Sequence, residues 1–221
     1  MELAGGLFSE TLRWWLGAVY TLILFSAIRL ASWRRLYNSE QLNVFFGSCV
    51  VLLLLWQVRA QVDPAWSFHL LGITALTLMF GWSFAIIGSS IALVGVNLNG
   101  GQGWDGFVLN AMTLGVVPVT LTQVSLVLAR SYLPRNFFVY VLVNAFLTAG
   151  FAALASGYLA AGLLVLSGSF SLIELKQNFL PFFPLMFLPE AMVNGWIITI
   201  LVLYRPNWVG SFSDEFYLKG K

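Results

Sequence analysis

Residues 68–96 read FHLLGITALTLMFGWSFAIIGSSIALVGV, an apolar run whose only titratable side chain is His69. A helix needs roughly 20 residues to cross the hydrocarbon layer. The run is therefore too long for one untilted span and short for two full ones. Gly81-Trp82-Ser83 near its middle supplies a tight turn, which predicts two segments, 68–81 and 83–96.

The rest of the chain follows the same pattern, with further apolar runs at 12–30, 42–58, 107–129, 137–166 and 180–204, each bounded by polar or charged residues. Of the 221 residues 59% are hydrophobic and 9% charged, and mean hydropathy is +0.86, a balance that leaves too little polar surface for a water-soluble domain. The expectation is a single all-α transmembrane domain over 1–221, a polytopic bundle of about seven spans, or six if the central run is unbroken. The 137–166 run, with Gly150 and Ser156-Gly157 inside it, is equally long for one helix.

Basic residues accumulate on the cytoplasmic side of short loops. With seven spans and the N-terminus outside, Arg29, Arg34, Arg35, Arg130, Arg135, Arg205, Lys219 and Lys221 fall inside, eight of the 11, and the C-terminus is cytoplasmic. Six spans place at best seven inside. The lipid bilayer is thus the first partner, and the plasma membrane, the inner membrane of a bacterium, the expected location. Glu2 and Glu10 stand where a secretory signal is basic, so 12–30 reads as a retained span. A formal net charge of +2 offers no basic patch for nucleic acid. Cys49, the only cysteine, excludes an internal disulfide and a cysteine-built metal cluster.

Chemistry concentrates in a few places. Residues 97–106, NLNGGQGWDG, form a polar glycine-rich connection. Residues 101–106 match G-x-G-x-x-G in letters only, because the strand and βαβ unit of a dinucleotide site are missing. The connection is either a turn in which glycine and asparagine take positive φ, or irregular backbone lining a polar cavity. His69, the only histidine, opens its run at a membrane boundary, where a titratable group marks a candidate site. One histidine cannot hold a transition metal alone. Asn97, Asn99, Asp105, Asn110, Met112 and the loop backbone are available to complete a mixed nitrogen, oxygen and thioether set. Glu190 lies inside the last run, after Pro181, Pro184 and Pro189, either as a hydrogen-bonded packing group or facing a cavity. Gln123 and Asn144 read as interhelical glue, and the small residues of 150–162 suit close helix contacts. No hydrolase elbow, HExxH or P-loop is present, which disfavours an enzyme.

Three segments in order resemble the integral permease subunit of the energy-coupling-factor transporters for cobalt and nickel, the CbiM/NikM family. Ser67-Phe68-His69-Leu70-Leu71-Gly72 is similar to its Ser-x-His-Leu-x-Gly. Asn99-Gly100-Gly101, with Gly106, Asn110 and Met112, resembles its Asp-Gly-Gly loop and following Gly, Asn and Met cluster. Pro189-Glu190-Ala191-Met192-Val193-Asn194 leading to Arg205-Pro206 looks like its closing Gly-Glu-Ala-Leu-Ile-Thr helix and terminal Arg-Pro. The resemblance implies a seven-helix substrate-binding component with its N-terminus outside, working with a second membrane subunit and cytoplasmic ATPases. It implies Co²⁺ or Ni²⁺ as substrate and no covalently bound cofactor. In the family the metal is held by the N-terminal amine, a Met-His start and the histidine that matches His69. This chain begins Met1-Glu2-Leu3-Ala4, and Asn110-Ala111-Met112 replaces an adjacent Asn-Met pair. The expected metal set is therefore His69 as principal ligand with Met1, Asn99, Asn110 and Met112 around it, and Glu190 behind it. The alternative expectation is a diverged accessory subunit of a larger membrane complex, without metal transport, docked through Arg205 to Lys221.

Overall fold

A computed structural model describes residues 2–63, 66–100 and 103–218. Met1, a candidate ligand, lies outside the described residues, as do Gly101 and Gln102 of the glycine-rich connection and Lys219 to Lys221.

Among the described residues six helical stretches are long and apolar enough to cross a membrane, and together they make an all-α polytopic bundle, integral to the membrane. They comprise α1 (Glu10–Leu30), α2 (Ser39–Gln57), α3 (Ile73–Leu98), α4 (Trp104–Tyr132), α5 (Phe137–Leu166), and a last stretch, Leu172–Tyr204, made of a short α6 (Leu172–Asn178) and the long α7 (Phe183–Tyr204). Their starts are set by caps that apolar runs do not reveal. Asn38 accepts from the N–H groups of Glu40 and Gln41 and starts α2 at Ser39. A reciprocal Ser171–Glu174 capping box begins α6 at Leu172, earlier than the expected 180.

The central run does fold back. Gly81 has φ 83° and ψ 174°, a region open essentially to glycine alone, so α3 is two helical pieces meeting at that residue. A Cβ on Gly88 would lie 3.2 Å from a Leu76 methyl, whereas residues twelve apart in a straight helix are about 18 Å apart. The chain therefore descends as a half-helix over 73–80 and returns as a longer one. Both ends of α3 consequently reach the same face, where Arg59 donates to the Gly100 carbonyl at 3.2 Å. At the opposite face the carbonyls of Leu78 and Met79, orphaned where the half-helix stops, accept from the N–H groups of Ser211 and Gly210 at 3.1 and 2.9 Å. The segment after α7 thus folds onto the bundle, Trp208 donating to Glu40 and the Arg130 guanidinium to the Ser211 carbonyl, and it ends in a short α8 (Asp214–Tyr217) with Asp214 and Glu215 exposed.

In lipid, helices are held by close packing rather than by water exclusion. Gly150 and Gly157 of α5 sit under the rings of Phe187 and Phe183 of α7, and Gly195 of α7 sits under Phe146. In α4, Pro118 follows a wide turn over Ala111–Val116; the loosened turn relieves the clash between the proline ring and the preceding carbonyls.

One element was not expected. A small antiparallel sheet, β1 (Glu2–Leu3), β2 (Ala60–Asp63) and β3 (Trp66–Phe68), in the order β1-β3-β2, covers one end of the bundle. The first segment of the central run begins as this sheet, and α3 starts only at Ile73, after Gly72 with φ 67°.

Candidate functional site

The sheet brings the chain's beginning to the His69 end of the bundle. Glu2 stands opposite Ser67 and Leu3 opposite Trp66, so β1, read backwards, runs toward His69. Asn110 fixes this strand by a two-point clip: its Oδ1 accepts from Leu3 N–H at 2.7 Å and its Nδ2 donates to the Leu3 carbonyl at 3.0 Å. Gly5 makes the approach feasible, because a Cβ there would lie 2.1 Å from the Asp105 carbonyl carbon. Glu2 is 1% exposed and forms an ion pair of 2.7 Å with Arg59, the partner that a buried carboxylate requires.

Strand alternation sorts the side chains of β3: Trp66 and Phe68 both pack on Phe179, which directs Ser67 to the other face, and the strand ends before His69. The His69 imidazole is buried, its centroid 5.6 Å from that of Trp56. Its Nδ1 lies 3.0 Å from the Leu70 carbonyl oxygen. A carbonyl only accepts, so Nδ1 carries the proton and the ring's lone pair is on Nε2. Burial first, and nearby positive charge including Arg59, hold the His69 pKa well below its ordinary value of 6.5, so the ring is neutral at physiological pH. His69 lines a cavity of about 450 Å³ with Arg59, Leu70, Met186, Pro189 and Glu190.

Glu190, nearly fully buried in α7, aims at backbone. Its two oxygens accept from the N–H groups of Leu71 and Gly72, both at 2.7 Å, and Oε1 also accepts from Asn194 Nδ2 at 2.7 Å. One helical turn on, Asn194 Oδ1 accepts from Ala75 N–H at 2.8 Å. The first N–H groups of a helix lack intrahelical partners. These two side chains supply them to the half-helix from a neighbouring span, and a carboxylate is the favoured charge there. Glu190 therefore holds the His69–Gly72 segment in place.

The structure brings His69 and Glu190 to one cavity, whereas Asn110, in α4, does not line it and instead holds β1 through Leu3. Asn99 is exposed, its amide donating to the Gly95 carbonyl at 3.1 Å, and Met112 is half-buried against the core. Neither lines the cavity. Among the described residues no three His, Cys, Asp or Glu side chains cluster as a ready metal site. The sequence assigned no role to Glu2, Ser67 or Asn194, although Ser67 and Asn194 lie in segments that carry the resemblance; nothing local marked Glu2 as the partner of Arg59.

Compared with known families, the chain matches the model described as "CbiM: Cobalt uptake substrate-specific transmembrane region" over residues 3–208. No curated protein and no solved structure matches.

Proposed function

Because the chain belongs to the CbiM family of cobalt uptake substrate-specific transmembrane regions, we propose that it is the substrate-binding subunit of an energy-coupling-factor transporter, taking up a divalent ion of the Co²⁺ or Ni²⁺ type at the His69 end of the bundle. The observation that carries this reading is the state of His69. A buried imidazole, kept neutral and fixed in one tautomer by the Leu70 carbonyl, is prepared as a nitrogen ligand. The cap from Glu190 and Asn194 fixes the backbone that carries it. Met1 is the further donor proposed at this end; Asn110 acts by holding β1 in place, and Asn99 and Met112, which do not line the cavity, are not proposed as ligands.

The distribution of charge supports an orientation with the His69 end outside. Arg35 bonds Gln41 and the Trp208 carbonyl, and Arg130 bonds the segment after α7, at the end opposite His69. The basic end faces the cytoplasm, so His69 faces outward. A second membrane subunit and cytoplasmic ATPases complete the transporter and supply the energy that this chain has no means to supply. Calorimetry on purified protein tests the reading: one equivalent of Co²⁺ or Ni²⁺ binds, and His69→Ala weakens binding by about 100-fold or more. Absence of binding by both ions, with whole-cell uptake unchanged in His69→Ala, overturns it. Stable co-purification with an unrelated membrane complex and no ATPase subunits supports the accessory role instead.

A further inference from the structure

A groove of about 840 Å³ runs between α2 and α7. Its floor is the half-helix over 73–80, through Ala75 and Met79; α2 forms one wall from Val44 to Leu55, and Ile197 and Leu201 of α7 stand on the other. The half-helix is only about 12 Å long, so it cannot fill the space between two full spans as a whole helix would. The length of the groove limits what can. From Val44 to Leu55 the α2 wall rises roughly 16 Å, about half of the ~30 Å hydrocarbon thickness. That is the depth of one lipid leaflet and is too short to seat a second spanning helix along its length. The wall is also apolar in effect, because the Ser48 hydroxyl is spent on the Val44 carbonyl at 2.7 Å. Space lies open over it: a Cβ on Gly47 would meet nothing within 4 Å.

Polarity is confined to the end opposite His69, where Ser39, Glu40, Asn43 and Trp208 form the mouth. The Glu40 carboxylate accepts from the Trp208 indole N–H at 2.7 Å and has no cationic partner among the described residues. The Arg205 guanidinium lies 5.7 Å from the centroid of the same indole, and it too forms no ion pair among the described residues. An unpaired acid and an unpaired base thus flank one tryptophan, a residue type suited to the headgroup level. The opposite charges of a zwitterion match this pair, and a leaflet-deep apolar trough below it matches a tail. We propose that the groove binds one phospholipid with a zwitterionic, primary-amine head, its ammonium at Glu40, its phosphate at Arg205 and an acyl chain along the α2 wall. The lipid completes the layer that the half-helix leaves short. This site is separate from the His69 cavity and does not depend on the ion that the chain carries.

The test offers phosphatidylethanolamine and phosphatidylglycerol with the same acyl chains, each in turn, to the full-length protein in mild detergent, and native mass spectrometry reads the lipid retained. Gly47→Trp places an indole in the groove, Val50→Trp adds the same bulk at an exposed position of α2 outside it, and Glu40→Gln removes the charge while keeping an acceptor for Trp208. The parent is expected to retain one phosphatidylethanolamine and to prefer it over phosphatidylglycerol by about two- to fivefold, the worth of an exposed ion pair. Gly47→Trp loses the lipid and Val50→Trp keeps it. Glu40→Gln keeps a lipid but loses the preference, a result that does not depend on how Gly47→Trp folds. Equal retention by the parent and Gly47→Trp overturns the proposal, as does a parent without preference between the two heads. Release of a co-purifying membrane subunit by Gly47→Trp but not by Val50→Trp, with lipid retention unchanged, assigns the groove to a partner helix and also overturns it. None of these outcomes alters the reading of His69.

Discussion

Replacing Glu190 by alanine removes the one side-chain acceptor that, among the described residues, the N–H groups of Leu71 and Gly72 have, both 2.7 Å from its oxygens. Asn194 keeps its second acceptor, the Glu190 backbone carbonyl at 2.9 Å, so two donors are orphaned rather than three. A buried donor left without a partner costs about 1–3 kcal/mol, with bonds to charged groups at the upper end, which gives roughly 3–5 kcal/mol here. In a chain of this size each kcal/mol moves the melting temperature by about 2–4 °C. Glu190→Ala is thus expected to melt roughly 6–20 °C below the parent in mild detergent. Glu190→Gln, which keeps one acceptor oxygen, is expected near the middle of that interval. Hydrogen exchange localises the effect: the Leu71 and Gly72 amides exchange about 100-fold faster in Glu190→Ala, the equivalent of about 3 kcal/mol, while amides near the Arg35 end keep their protection. A melting temperature within 2 °C of the parent (~0.5–1 kcal/mol), or faster exchange spread evenly over the bundle, refutes the argument that this carboxylate caps the half-helix.

Three further outcomes follow from the same geometry. Native His69 has its pKa well below the ordinary 6.5, so protons compete with the ion only below that depressed value. Affinity is expected to stay level from about pH 7.5 to 6.5 and to fall on further acidification; a decline centred at or above pH 6.5 contradicts the buried neutral ring. The unfolded chain binds its proton at about 6.5, so His69 also withdraws stability as pH falls from there through the native value, which melting against pH reads out. Gly5→Ala drives a methyl into the Asp105–Gly106 backbone, whereas a Cβ on Gly6 meets nothing within 4 Å. Gly5→Ala therefore displaces β1 and weakens ion binding by about tenfold or more, and Gly6→Ala binds as the parent does; equal calorimetric behaviour of the two variants refutes a seated β1. Gly81→Ala introduces a side chain at φ 83° with open space around it, so its effect is backbone strain of about 1–3 kcal/mol. It is expected to lower the melting temperature by roughly 2–12 °C, and no change refutes the fold-back at this residue.

The sequence by itself determined the solvent and the element type, because a residue's preference for hydrocarbon and a run's length are properties of consecutive residues. Runs such as 12–30 and 42–58 could only be membrane helices, and Gly81 inside an overlong run could be read as a break because its freedom at positive φ is intrinsic to glycine. The tertiary structure decided the site. The pairing of Glu2 with Ser67 joins positions 65 residues apart in the chain, and Glu190 caps backbone 119 residues away. A side chain's composition does not reveal whether its partner will be a metal, a carboxylate or a peptide N–H. Asn110 and Glu190 looked alike in sequence as polar residues in apolar runs; their different roles, one clipping a strand and the other capping a half-helix, follow from which unsatisfied backbone groups the fold brings within 3 Å of them.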